Sequence, residues 1–263
     1  MAIFLAFVII AVLGLLLGLG LSFADSKLKV EKAEKLEELE AMMPGANCGG
    51  CGYAGCSAYA EAVYKGEAEI GLCAPGGNAL AEKMGEVMGV KVEEKERMVA
   101  FVFCQGNPSV TGLDYDYRGM MDCNAASILL QGPNACKSGC LHLGSCIAVC
   151  PVGAIEKNSE GNIVVDKEKC IGCGKCTRIC PNGVIKMVPY SAEYIVACNN
   201  KEPGALVRKE CKVGCIGCRL CVNKVENSPF VVEDNLSHVD YTKDMTHAGD
   251  AVSICPQKCI IKR

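Results

Sequence analysis

The 263-residue chain carries 21 cysteines, 29 glycines, no tryptophan and only 5% aromatic residues, which excludes one large core of the ordinary kind. Small modules held by bound metal fit better, because metal binding supplies folding energy that a small core lacks. The net charge is only −3, and basic residues are not interleaved with aromatics, so nothing supports nucleic-acid binding.

A secreted disulfide framework is the competing reading of so many cysteines. The repeated two-residue spacings and the Cys-Pro pairs have no disulfide rationale. Reduced thiolates and a cytoplasmic location are therefore expected for residues 25–263.

Residues Ala2 to Phe23 hold no charge, and about 20 apolar residues span a bilayer. A cleaved signal peptide is the rival, with Ser22-Phe23-Ala24 resembling a cleavage site. No basic residue precedes the run, which also exceeds a signal's usual apolar core, so a transmembrane anchor is expected over 1–24. Lys27, Lys29, Lys32 and Lys35 follow it and put the C-terminal side in the cytoplasm. Gly14-x3-Gly18, with Gly20 beyond, offers a small-residue face to another membrane helix. The charged stretch 25–44, with sparse Leu28, Leu36 and Leu39, predicts a solvated helical stalk ended by Pro44-Gly45.

Next comes Cys48-Gly49-Gly50-Cys51-Gly52-Tyr53-Ala54-Gly55-Cys56, followed by Cys73. Glycines between thiols let the backbone wind tightly and aim its N–H groups at cluster sulfurs. A compact turn plus one distant ligand suits a [4Fe-4S] cubane; zinc is the alternative for two cysteine pairs. An amphipathic helix or two over 78–98 is predicted to cover this module.

The run Cys170-x2-Cys173-x2-Cys176-x3-Cys180-Pro181 has bacterial ferredoxin spacing, in which the last cysteine ligates the other of two clusters. Cys150-Pro151-Val152-Gly153-Ala154-Ile155 shares a frame with Cys180-Pro181-Asn182-Gly183-Val184-Ile185 and with Cys255-Pro256-Gln257-Lys258-Cys259-Ile260. Cross-ligation assigns Cys150, Cys170, Cys173 and Cys176 to one cluster. Cys136, Cys140, Cys146 and Cys180 go to the other, although Cys136-x3-Cys140-x5-Cys146 departs from the usual two short gaps. Cys215, Cys218, Cys221 and Cys255 form a further set, giving about four [4Fe-4S] clusters in all.

In the last repeat Val225, Asp244, His247 and Asp250 stand where a second cluster's cysteines would be. A different metal held by carboxylate and imidazole is one reading. All four thiolates are missing together, so loss of that cluster is the expectation. Cys259 aligns with Ala154 and Val184 and is expected to be a buried core thiol. Cys104 and Cys198 each end an apolar strand, and Cys123 and Cys211 each precede a ferredoxin motif. Cys211-x3-Cys215 also echoes Cys136-x3-Cys140. For Cys104, Cys123, Cys198 and Cys211, three readings stand open: buried thiols, redox pairs or a further metal site.

Only three histidines occur, and no Gly-rich dinucleotide fingerprint follows a strand. No catalytic residue of bond chemistry is expected, and no NAD or flavin bound by this chain. His142, between Cys140 and Cys146, reads as a loop filler. Lys201, Arg208, Lys209, Lys212, Arg219 and Lys224 face only Glu202 and Glu210 over the same stretch. They make either a dock for an acidic partner or a solvated face.

In its order of anchor, Cys48/Cys51/Cys56/Cys73 module and tandem ferredoxin motifs, almost the whole chain resembles the B subunit of the Rnf electron transport complex, a ferredoxin:NAD⁺ oxidoreductase. Cys198-Asn199-Asn200-Lys201 and Cys211-Lys212-Val213-Gly214-Cys215-Ile216-Gly217-Cys218 look like longer, anaerobe-type members. The resemblance implies an electron-transfer subunit taking electrons from soluble ferredoxin toward the other integral and peripheral Rnf subunits, coupled to Na⁺ or H⁺ export. It implies a single-pass protein of the inner (cytoplasmic) membrane with its cluster domains on the cytoplasmic side. An anchored polyferredoxin of a hydrogenase or dehydrogenase is the alternative, and a zinc-binding interaction protein a second.

The expected fold class is α+β: one N-terminal transmembrane helix followed by small iron–sulfur modules, including tandem bacterial ferredoxin-like folds. The expected boundaries are the anchor 1–24, stalk 25–44, four-cysteine module 45–95 and a connecting segment 96–130 with Cys104 and Cys123. A two-cluster ferredoxin-like domain 131–189 and a degenerate one, 190–263, retaining one cluster, complete the chain.

Overall fold

A computed structural model describes residues 2–28 and 33–263. The uncharged N-terminal run forms one 27-residue helix, α1 (Ala2–Leu28), about 40 Å long at 1.5 Å per residue. Its described apolar side chains point to solvent, Leu13, Leu16 and Leu21 among them. Among the residues described in full, no helix is long and apolar enough to cross a membrane. The described stretch covers only part of the run, 10–23 together with Phe4.

Helices α2 (Glu34–Ala41), α3 (Cys56–Tyr64) and α4 (Gly77–Met88) build the first cysteine module. Helix α4 is the covering helix predicted over 78–98, although it stops at Gly89, whose left-handed φ of 71° ends it. The predicted solvated stalk needs correction. Leu39 of α2 is fully buried and packs with Tyr59, Val63 and Met84. Sparse leucines on a charged helix are enough for one docked face, and α2 belongs to the module.

Two repeats of one plan follow. The first runs β1 (Met98–Val102), α5 (Cys123–Ile128), α6 (Ser145–Ala148), β2 (Ile155–Lys157), β3 (Ile163–Val165), α7 (Lys175–Ile179) and β4 (Ile185–Pro189). The second runs β5 (Tyr194–Val196), α8 (Gly204–Glu210), α9 (Leu220–Asn223), β6 (Phe230–Glu233), β7 (Leu236–Val239), α10 (Asp250–Ile254) and β8 (Ile260–Lys262). In each, the outer strands pair antiparallel, β1 with β4 (Met98 opposite Pro189) and β5 with β8 (Tyr194 opposite Lys262). Each also has an inner hairpin, β2–β3 or β6–β7. The segment 96–130 is thus more than a connection, since its strand β1 closes the first repeat.

Burial on both faces explains the paired outer strands. Val99, Ala100 and Val102 of β1 are buried with Ile185 and Val188 of β4, and cysteines complete that small core. The second core gathers Val196, Phe230, Leu236 and Ile260. Neither core is large, and both are lined by thiols.

Candidate functional site

All 21 cysteines are free of disulfides. In the N-terminal module Cys48, Cys51, Cys56 and Cys73 wall one cavity. Asn47 Oδ1 accepts the Cys56 N–H at 2.8 Å and holds the glycine loop. The buried Tyr59 hydroxyl donates to Glu69 O (2.9 Å) and accepts the Leu72 N–H (3.2 Å), fixing the approach to Cys73.

In the first repeat, backbone N–H groups aim at ligand sulfurs, as thiolates require. Ala154 N–H donates to Cys150 Sγ (3.3 Å), and Ala100 N–H of β1 donates to Cys170 Sγ (3.4 Å). Burial pushes the Cys176 thiol up to about 12, and the charges of Cys170 and Cys173 add to the effect. Cys150, Cys170 and Cys176 share the first repeat's core.

The neighbouring set differs from the expected one. Cys140, Cys146 and Cys180 line a cavity whose fourth thiol is Cys123. Cys123 stands at the start of α5, capped by Asp122, whose Oδ1 accepts the Ala125 N–H at 2.9 Å. Ser145 accepts the Cys123 N–H (2.7 Å) and donates to Asp122 (2.8 Å), tying Cys123 beside Cys146.

The backbone shows why. In the loops from Cys140, Cys170 and Cys215, the residue two positions on (His142, Gly172, Gly217) has a φ near +60°, and the residue four positions on (Gly144, Gly174, Arg219) is again left-handed. The register is therefore Cys140-x2-Leu143-x2-Cys146. Leu143 replaces the middle cysteine, and Cys123 supplies the missing thiol. The equal spacing is a readable signal, and assigning Cys136 from its spacing alone misses it.

Cys136 faces elsewhere. It lines a cavity with Cys104, Cys198 and Cys211. Burial pushes its thiol up to about 12, and those three are the neighbouring thiols that add to the effect. His142 borders this cavity, with Nδ1 buried and unpartnered.

In the second repeat Cys215, Cys218, Cys221 and Cys255 line one cavity, together with Cys259. Ser237 lies over it, its N–H directed at Cys215 Sγ (3.5 Å) and its hydroxyl 3.3 Å from Cys221 Sγ. Cys259 is buried as expected, yet it touches the site, with its Sγ 3.5 Å from Cys255 Sγ. Its thiol lowers the pKa of both Cys215 and Cys255 by hydrogen bonding. Cys218 is exposed beside the exposed Arg219.

The degenerate half is filled with side chains. Val225, Phe230, Ala248 and Ala251 are buried together. Asp244 folds back to accept the Thr246 N–H (3.0 Å), and His247 sits 3.6 Å from Asp250 at the surface. The positive-φ positions of the cluster loops are absent there.

Among the described residues no three His, Cys, Asp or Glu side chains converge tightly enough for a single metal ion.

Comparison with known proteins agrees. Residues 43–75 match the family described as "Putative Fe-S cluster", and residues 163–186 match the 4Fe-4S binding domain. The chain is 38% identical over 252 residues to the B subunit of the ion-translocating oxidoreductase complex of Methanosarcina acetivorans, covering 96% of this chain and 95% of that protein. It is 39% identical over 253 residues to the B subunit of the proton-translocating ferredoxin:NAD(+) oxidoreductase complex of Clostridium ljungdahlii, covering 96% and 88%. The chain belongs to this B-subunit family. The B subunit of the Na(+)-translocating ferredoxin:NAD(+) oxidoreductase complex of Acetobacterium woodii is 38% identical over 252 residues, covering 96% and 75%. The matches to these three proteins each span almost the whole chain.

Proposed function

We propose that this protein carries electrons, one at a time, between soluble ferredoxin and the NAD-linked part of a membrane complex that moves Na⁺ or H⁺. Bound [4Fe-4S] clusters would supply the one-electron redox chemistry, with potentials set by burial and N–H···S bonds. The observation that carries this reading is the contact between thiol-lined sites. A Cβ on Gly50 would lie 2.9 Å from Cys173 O, so the first module's glycine loop rests against the next ligand loop. Arg178 donates to Cys48 O (3.5 Å) across the same junction. Helices α6 and α7, which carry Cys146 and Cys176, pack against each other in turn.

The chain's own residues hold the sites close, exclude water and present N–H donors. The ligands assigned here are Cys48/Cys51/Cys56/Cys73, Cys150/Cys170/Cys173/Cys176, Cys123/Cys140/Cys146/Cys180 and Cys215/Cys218/Cys221/Cys255. The length and exposed apolar surface of α1 support a membrane anchor, with the lysines after it on the cytoplasmic side.

Exposed Cys218 and Arg219, with Lys212 and Lys224 also exposed, make the second repeat the natural dock for an acidic ferredoxin. Anaerobic iron and sulfide analysis with EPR tests the cluster reading; zinc without sulfide would sink it. Reversing the charge of Lys212, Arg219 and Lys224 is expected to slow ferredoxin oxidation at least tenfold at low salt and to flatten its salt dependence. Unchanged kinetics would remove the dock.

A further inference from the structure

Cys136, displaced from its expected set, shares a cavity with three cysteines that no other site uses. We infer that Cys104, Cys136, Cys198 and Cys211 hold one further [4Fe-4S] cluster, placed between the two repeats and joining their electron paths. This rests on the electron-transfer reading above and extends it.

The four thiols are two equivalent pairs. Cys104 and Cys198 each follow an outer strand, β1 or β5, and each N–H bonds back to the carbonyl two residues before it, Val102 or Val196. Cys136 and Cys211 each stand four residues before the first thiol of the next loop, Cys140 or Cys215. One pair comes from each repeat, and both pairs line the one cavity between the repeats.

Every one of the four sulfurs receives a donor. Cys140 N–H points to Cys104 Sγ (3.3 Å), and Cys215 N–H to Cys198 Sγ (3.3 Å), with Asn200 N–H also near Cys198 Sγ (3.5 Å). The buried Asn200 side-chain amide donates to Cys136 Sγ (3.4 Å), and the buried Thr111 hydroxyl to Cys211 Sγ (3.5 Å). Neutral core thiols do not need such donors. Sulfurs bearing thiolate charge do, and hydrogen bonds to ligand sulfurs are one of a protein's means of setting a cluster's potential.

Glycines complete the cradle. A Cβ on Gly106 would approach both Cys104 Sγ (3.5 Å) and Cys211 Sγ (3.8 Å), and one on Gly139 would lie 3.4 Å from Cys136 Sγ. Side chains there would fill the space between the thiols.

The same donors define the connections. Cys140 belongs to the first repeat's set and touches Cys104, while Cys215 belongs to the second repeat's set and touches Cys198. The four thiols would hold a cubane in contact with the loops of both sets, where it would supply one-electron chemistry between them. The 21 cysteines then divide into five sets of four, with Cys259 as the remaining thiol.

The test uses the full chain, purified anaerobically in detergent, and a Cys198→Ala/Cys211→Ala double variant that leaves the other four sets intact. The wild type is expected to hold about twenty iron and twenty sulfide, and the variant about sixteen of each, with one reduced-cluster EPR signal lost. About sixteen in both proteins would overturn the inference while leaving the electron-transfer reading in place. So would zinc in this site beside sixteen sulfide. No sulfide at all would instead remove the electron-transfer reading itself. Should the double variant fail to accumulate, Thr111→Val supplies the second measurement. Loss of the hydroxyl donor is expected to lower one cluster potential at unchanged iron content, and an unchanged set of potentials would overturn the inference.

Discussion

At the scale of single residues, the donors around each sulfur matter as much as the ligands. Cys259, aligned with Ala154 and Val184, touches the sulfur of Cys255 and hydrogen-bonds toward Cys215. Its replacement by alanine removes a donor worth about 1 kcal/mol at most, equivalent to roughly 40 mV for a one-electron couple. Cys259→Ala is expected to lower that cluster's potential by up to this amount with iron content unchanged; a redox titration followed by EPR reads it. His247→Ala, by contrast, is expected to leave iron content and every potential unaltered, because His247 is a surface side chain paired with Asp250. Loss of iron in that variant would restore the degenerate half as a metal site. Ligands in the run Cys170 to Cys180 are readable in the sequence because they lie within one turn-rich loop. Cys123 is not, since its partners arrive through the fold, and only the equal Cys140-to-Cys146 and Cys170-to-Cys176 intervals betray the empty middle position at Leu143.

At the scale of elements, short strands and helices act as supports for ligand loops. Strand β1 contributes the Ala100 N–H to Cys170 as well as closing the sheet on β4, so a strand that reads as part of a connection is part of a site. The sequence shows its apolar run but not its partner, which lies more than eighty residues away at Ile185. Helix α2 is a similar case. Its charged faces suggest solvent, and one leucine decides otherwise: Leu39 has no exposed surface and sits on Tyr59 and Met84. Leu39→Ala is expected to destabilise the N-terminal module by about 2–5 kcal/mol. Anaerobic chemical denaturation, monitored at the visible absorbance of the bound cluster, would show that module lost first. Coincident loss of all clusters at the wild-type midpoint would mean that α2 does not support it.

At the scale of the whole molecule, the sites form a series, from the N-terminal module through both sets of the first repeat and the bridging cavity to the second repeat. At the first junction Gly50 lies against the Cys173 backbone with no room for a side chain. Gly50→Val is expected to separate these modules, keeping its iron while slowing electron passage through the series by tenfold or more. Stopped-flow reduction through ferredoxin would reveal it as a module left oxidised, whereas wild-type kinetics would show that the contact is dispensable. Beyond this junction the chain is laced differently. With the ligands proposed above, Cys136 and Cys140, Cys146 and Cys150, Cys176 and Cys180, and Cys211 and Cys215 would each place thiols of two sites on one short peptide. Filling one site therefore orders half the lacing of the next. Under scarce iron, residues 98–263 should mature as all-or-none, with native mass spectra showing empty and full populations rather than a ladder of intermediates. The N-terminal module, sharing no such peptide, should load on its own schedule.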